Sequence, residues 1–145
     1  MNEVVGIQSI RDKVFAVETL MKEQPQVDIH TKHYFSKGVY AREITIPAGT
    51  VLVGEIHKFT NLNILSKGEI EVLVGGEIRR IEAPFTIVSP AGTKRIARAL
   101  SECIWTTVHG TDEVDLAVIE KTFIAKDEQE WLEFCNANQL ELGFG

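Results

Sequence analysis

From Gly38 onward the chain is cut repeatedly by turn signals: Pro47-Ala48-Gly49, Ser66-Lys67-Gly68, Gly75-Gly76, Ala83-Pro84, Pro90-Ala91-Gly92 and Gly110-Thr111. Glycine supplies the positive φ that tight turns need and proline presets a turn φ, so no long helix can run through this region. The intervening runs are short and rich in Val, Ile and Thr, and read as strands over 39–46, 51–56, 62–65, 70–74, 78–81, 86–88, 96–99, 104–108 and 114–119. Short strands at regular spacing indicate an all-β sandwich or barrel. Gly75-Gly76 reads as the turn of a hairpin.

Helices are expected on both flanks. Ser9-Ile10-Arg11-Asp12 has the form of a capping box with Asp in place of Glu. Ile10, Val14, Val17 and Met21 then recur at helical spacing, with Leu20 widening the stripe, until Pro25 stops it. This gives a helical N-terminal extension over 8–24, whose apolar stripe would cover a barrel face or a partner subunit. The stretch 25–37 is polar and reads as irregular. Its His30 and His33 are either solvated or part of an arm folded over a pocket or a neighbouring subunit. A second helix is expected over 127–139, with Trp131, Leu132, Phe134 and Cys135 on one side, and 143–145 as a frayed end. At 145 residues, without repeat or linker, the chain suits one domain, 1–145, with its barrel over about 34–120.

Composition excludes several classes. With 44% hydrophobic and 25% charged residues the chain can bury a core, unlike a disordered segment. Its net charge of −6 weighs against nucleic acid or an anionic membrane as partner, since both require a broad basic surface. No apolar run is long enough for a membrane span, and residues 1–10 lack the pattern of a secretory signal, so the expected location is cytoplasmic. Cys103 and Cys135 give neither a disulfide framework nor zinc spacing and read as reduced thiols.

The charge is uneven. Between Arg79 and Arg98 five basic residues (Arg79, Arg80, Lys94, Arg95, Arg98) face one acid, Glu82; the window is +4 and the remainder −10. A local positive cluster on an acidic protein can hold an anion that the global charge would repel. The alternative for Arg79 and Arg80 is a solvated strand edge, where cations discourage edge pairing.

The turns also carry a resemblance. Pro47-Ala48-Gly49-Thr50, Gly54-Glu55-Ile56-His57, the run from Asn61 to Gly68, Gly75-Gly76 and Ser89-Pro90-Ala91-Gly92-Thr93 resemble the motifs of the cupin superfamily over roughly 34–119. Within it, Glu55-Ile56-His57-Lys58, Asn63-Ile64-Leu65-Ser66-Lys67-Gly68, Gly92-Thr93-Lys94-Arg95 and Trp105-Thr106-Thr107-Val108-His109 are similar to a small group often encoded in phage genomes. The resemblance implies a cupin-type double-stranded β-helix (jelly-roll) barrel flanked by N- and C-terminal α-helices, assembled as a homo-oligomer. A phage origin would make the location the cytoplasm of the bacterial host.

A metal-binding cupin places two histidines, a glutamate and a third histidine at positions that here read Glu55, His57, Asn61 and Arg95. Arg95 stays protonated and cannot ligate, so no cofactor is expected; a divalent metal, if present, would need Glu55, His57 and His109. The Arg in the ligand position would instead face the barrel interior with Glu55, His57, Asn61 and Asn63. Guanidinium suits carboxylate or phosphate oxygens, the Asn amides could read a base or sugar, and Trp105, with Tyr40 nearby, could offer a flat face. The expected ligand-binding set is thus Tyr40, Glu55, His57, Asn61, Asn63, Lys94, Arg95, Trp105 and His109.

Each of these residues has a plainer alternative. Glu55 and Arg95 could close the barrel as a buried ion pair. His57 could be structural, Asn61 and Asn63 could bond loop backbone, Trp105 could be core and His109 exposed. Lys94 has the opposite parity to Arg95 and belongs at the rim or on the outer face. Motifs for Ser hydrolases, P-loops, zincins and dinucleotide binding are absent from the sequence. Three functions follow as expectations. The first is non-enzymatic binding and sequestration of a small anion, in its concrete form a nucleotide-type immune signal captured by a phage protein. The second is a metal-dependent or metal-free cupin enzyme (an isomerase, epimerase or oxygenase) centred on His57, Glu55 and His109. The third is a phage assembly or interaction protein.

Overall fold

The computed structural model describes residues 3–22, 27–74 and 76–138. Helix α1 (Glu3–Lys22) leads into β1 (His30–Ser36) and β2 (Val39–Ile46). There follow β3 (Val51–Val53), β4 (Ile56–His57), β5 (Asn61–Lys67), β6 (Glu69–Val74), β7 (Glu77–Glu82), β8 (Phe85–Ser89), β9 (Ile96–Ala99) and β10 (Cys103–His109). The chain closes with α2 (Leu116–Phe123), β11 (Ile124–Ala125) and α3 (Glu128–Ala137). Two antiparallel sheets, ordered β1-β2-β10-β5-β8 and β3-β9-β6-β7, form the jelly roll, and β11 pairs with β4 beside them.

Alternation builds the core. On β2, Tyr40, Ile44 and Ile46 turn inward, and the register sets Ile44 beside Trp105 and Ile46 beside Cys103. Ile44, Ile46 and Cys103 make the main apolar cluster between the sheets with Leu65, Ile70, Val72, Ile81 and Ala99, and Trp105 packs against it; Tyr40 clusters instead with Ile119 and Phe123. Such close-packed burial is the principal favourable term in folding. A second cluster, Ile56, Ala125, Trp131 and Cys135, seats α3 against the β4–β11 pair. Both cysteines are buried, and they form no disulfide with each other.

Several expectations change. The segment 114–119 reads as a strand from its Val and Ile content but contains the start of helix α2. Asp115 caps that helix by accepting a hydrogen bond from the Ala117 amide at 3.0 Å, and Ile119 and Phe123 bury one face. Tertiary burial and a good cap outweigh β-propensity here. The segment holding His30 and His33 is not irregular: it is β1, paired with β2 over seven residues. Its exposure pattern shows no alternation, because an edge strand in water carries no hydrophobic period. Helix α1 starts at Glu3, so Ser9-Ile10-Arg11-Asp12 lies inside it rather than at its N-terminus; it is described as far as Lys22, and the expected end at 24 lies outside the described residues. The run 51–56 breaks at Gly54-Glu55 into β3 and β4. Residues 23–26 with Pro25, Gly75 of the Gly-Gly turn, Gln139 and the 143–145 end lie outside the described residues. The hairpin itself is present, with Val74 opposite Glu77 and Gly76 at φ +84°.

Candidate functional site: the barrel cavity

The two sheets and α2 enclose a cavity of about 580 Å³, within the range of small-molecule sites. Eight of the nine expected residues line it: Tyr40, Glu55, His57, Asn61, Asn63, Arg95, Trp105 and His109. Its inner part is apolar, with Ile44, Ile46, Leu52, Ile70, Val72 and Ala97. Ile119 and Phe123 of α2 cover part of it, and Arg42, Glu55, Glu120 and His33 bring exposed side chains to its rim.

Lys94, the ninth, does not line the cavity. Its parity sends it out of the barrel, under α1, where the side chain is 1% exposed. Its Nζ donates to the Gly54 carbonyl at 2.8 Å, lies 3.3 Å from Glu18 and stands 4.6 Å from the centre of the Phe15 ring. Lys94 therefore fastens α1 to the barrel and supplies no charge to the cavity wall. Arg79 and Arg80 follow their plainer reading: β7 is an edge strand, both side chains are exposed, and Arg80 meets Glu69 at 2.6 Å.

Arg95 enters the cavity just before β9. The Pro90-Ala91-Gly92 turn that delivers it is fixed in place. Gly92 adopts φ +85° and its amide donates to the His57 carbonyl at 2.8 Å, while the Arg95 carbonyl accepts from the Gly54 amide at 2.8 Å. Nη1 of Arg95 donates to Ser89 Oγ at 2.5 Å. The buried ion pair with Glu55 does not form: Glu55 stands exposed at the rim, and among the described residues no carboxylate pairs with Arg95. Burial lowers the Arg95 pKa, with no opposing anion to raise it. The surrounding protein raises that of Glu55, while Lys94 pulls it down.

Asn63 is the centre of a buried network. Its Nδ2 donates to Asn61 Oδ1 and to Ser89 Oγ, both at 2.7 Å, and its Oδ1 accepts from Trp105 Nε1 at 3.1 Å and Thr107 Oγ1 at 2.8 Å. Asn61 Nδ2 donates in turn to the Phe59 carbonyl at 3.1 Å. Register explains the convergence: Asn63 lies opposite Thr107, and Asn61 opposite Ser89. All four hydrogen-bonding positions of the Asn63 amide are filled, so it shapes the wall and leaves nothing to read a base or a sugar.

The other wall is a run of rings. His33 Nδ1 and Tyr40 Oη are 2.8 Å apart. Tyr40 stacks at 6.5 Å on His109, which stacks at 5.3 Å on His57 and packs at 4.5 Å against Phe123. His109 is only 6% exposed, against the alternative of an exposed histidine. Nδ1 of both His57 and His109 is buried and finds no hydrogen-bond partner among the described residues. Burial, then the neighbouring His109, Arg42 and Arg95, lower the His57 pKa to about 4; burial also lowers that of His109. Both rings are therefore neutral at pH 7. Arg42, Ser89, Thr107 and the α2 residues join the wall without having been expected there. The alternation of Arg42 with Tyr40 on one strand was the available signal for the first of these.

No protein-family model matches the sequence, and no curated protein matches it. Solved structures do. A cupin superfamily protein of Desulfitobacterium hafniense aligns over 61% of this chain and 83% of its own, at 11% identity and TM-score 0.51. Ectoine synthase of P. lautus aligns over 68% and 75%, at 18% identity and TM-score 0.54. Salicylate 1,2-dioxygenase of Pseudoaminobacter salicylatoxidans aligns over 79% of this chain but only 33% of its own, at 14% identity and TM-score 0.53. The two-sheet barrel thus has the cupin jelly-roll fold, and proteins with this fold include enzymes. No described helix is long and apolar enough to cross a membrane.

The metal that the resemblance of the sequence implies does not fit the residues present. Of the four positions, Arg95 is a fixed cation, Asn61 has its amide bonded to Phe59 and Asn63, and Glu55 sits exposed at the rim. Among the described residues no three His, Cys, Asp or Glu side chains come together as a metal site, so Glu55, His57 and His109 do not form one.

Proposed function

We propose that this chain is a non-enzymatic receptor for a small organic anion, held in the barrel cavity with Arg95 as its anchor. The observation that carries the reading is the Arg95 guanidinium, aimed into a cavity, bonded to one hydroxyl and lacking a carboxylate partner among the described residues. A partly buried charge with little else to satisfy it is stabilised by a counter-charge, and a ligand oxyanion supplies one. In its narrower form, sequestration of a nucleotide-type signal by a phage protein, the reading stands on Arg95 and Arg42, since Lys94 faces away and the Asn63 amide is filled. Self-association belongs to the same proposal, with β1 as an exposed edge strand, and sedimentation measures it.

The test is calorimetry and thermal shift of the wild type and Arg95→Gln against carboxylates, phosphate and nucleotides. A bound anion at about 100 times its Kd adds about 2.7 kcal/mol of stability, and Arg95→Gln abolishes that gain. If no anion stabilises the wild type and Arg95→Gln leaves stability unchanged, the reading fails and an interaction protein with a filled barrel remains.

A further inference from the structure

We propose that the ligand is a small monocarboxylate with an apolar body, its carboxylate on Arg95 and its body on the row Leu52, Ala97 and Val72. This rests on the anion reading above and names the ligand class.

The geometry of the row comes first. Arg95 precedes Ala97 by two residues, so both side chains face the cavity, about 7 Å apart along the chain. Ala97 pairs with Leu52 on one side and Val72 on the other. A cationic head group therefore borders a continuous apolar floor. Free polar groups come next. The Asn63 amide is filled, and Ser89 already accepts from Arg95 and Asn63. What the inner walls still offer are the remaining Arg95 guanidinium N–H groups, the hydroxyl hydrogen of Ser89 and one nitrogen each on His57 and His109, with Arg42, Glu55 and Glu120 at the rim. The buried Nδ1 atoms of the two histidines lack partners among the described residues, so the proton belongs on Nε2, where it leaves no orphaned N–H. These inner groups are donors and suit oxyanion oxygens.

Charge narrows the class further. The charged residues lining the cavity are Arg42, Arg95, Glu55 and Glu120, two of each sign. With Lys94 outside and the two arginines matched by two carboxylates, the lining has no net positive charge to set against a polyphosphate, whereas one carboxylate matches the planar fork of one guanidinium.

The experiment is isothermal titration of linear, branched, alicyclic and aromatic monocarboxylates, their primary amides, inorganic phosphate, adenosine monophosphate and adenosine triphosphate. Wild type is compared with Arg95→Gln and Ala97→Leu, each checked first for an unchanged melt without ligand; Ala97→Val replaces Ala97→Leu if the larger side chain unfolds the barrel. The expected result is binding of bulky monocarboxylates and of none of the amides. Arg95→Gln should weaken it roughly ten- to a hundredfold. Ala97→Leu should weaken bulky carboxylates and spare acetate. Binding of adenosine monophosphate or phosphate without any monocarboxylate overturns the class while the anion reading stands. Equal affinity of bulky carboxylates for wild type and the Ala97 variant overturns the placement. Binding of no anion at all removes both.

Discussion

The neutral state of His57 makes stability depend on pH in a way that can be calculated. In the unfolded chain its imidazole takes up a proton through the ordinary value of 6.5, whereas in the folded barrel it stays neutral down to about 4. Between those values the unfolded state binds more protons, so stability is whole above pH 6.5 and falls as the pH drops towards 4. At about 1.4 kcal/mol for each pH unit of difference, the loss attributable to this group is about 3 kcal/mol. His57→Gln removes that titration and keeps a polar side chain of similar length. Urea melts at intervals from pH 7.5 to 4.5 should therefore converge: the wild type loses stability on acidification faster than the variant, with most of the difference appearing below pH 6. The ion-paired Glu69, whose pKa Arg80 lowers, acts below the ordinary carboxylate value and is common to both proteins. The His57 Cε1 proton resonance gives a direct check, with a midpoint near 4. A midpoint near 6.5, or parallel loss of stability in the two proteins, would refute the argument that burial and the Arg42–Arg95 field hold this ring neutral.

Three further substitutions test the architecture by chemical denaturation. Lys94→Met leaves Glu18 without its cation in a mostly buried setting and should destabilise by about 3 kcal/mol; adding Glu18→Leu should recover most of that, and no recovery would mean the pair does not hold α1. Asn63→Leu strips partners from Asn61, Ser89, Trp105 and Thr107 together and should cost about 4 kcal/mol, a loss below 1 kcal/mol showing that the network is dispensable. Gly92→Ala forces a side chain into φ +85° with its Cβ 2.6 Å from Trp131 Cζ2. It should cost about 3 kcal/mol, and a neutral result would show that α3 yields at this turn.

What could be read from the sequence followed from period and parity. The strands 39–46 and 96–99 match β2 and β9 residue for residue; the first runs from Gly38 to Pro47 with β-branched Val39, Ile44, Thr45 and Ile46. Parity also fixed the main features of the site. Tyr40, Asn61, Asn63, Trp105 and His109 all point inward, and Arg95 and Lys94, neighbours in sequence, part to opposite sides of the barrel wall. The failures have a common cause as well. β1 is exposed on both faces and so has no period to detect. Helix α2 is short, and its Val and Ile content is that of a strand; only the cap at Asp115 and the burial of Ile119 and Phe123 against the barrel decide its form. The filled state of the Asn63 amide depends on pairings between β5, β8 and β10 that no local pattern encodes.

That distinction bears on how the cavity works. The cationic contribution to its wall is Arg42 on β2 and Arg95 in the turn that leads into β9, while the lysine beside Arg95 in sequence is committed to α1. Moving a positive charge inward by one residue would therefore not strengthen anion binding. It would remove the helix from its anchor and crowd the polar network at once. A variant exchanging the two side chains, Lys94→Arg with Arg95→Lys, preserves composition and net charge yet replaces a planar fork by a point charge in the cavity and a compact ammonium by a bulkier guanidinium under α1. It should weaken carboxylate binding by roughly tenfold and also lower the melting temperature. An exchange that leaves both unchanged would mean that neither position depends on the shape of its cation, and the assignment of Arg95 as an oxyanion anchor would fall.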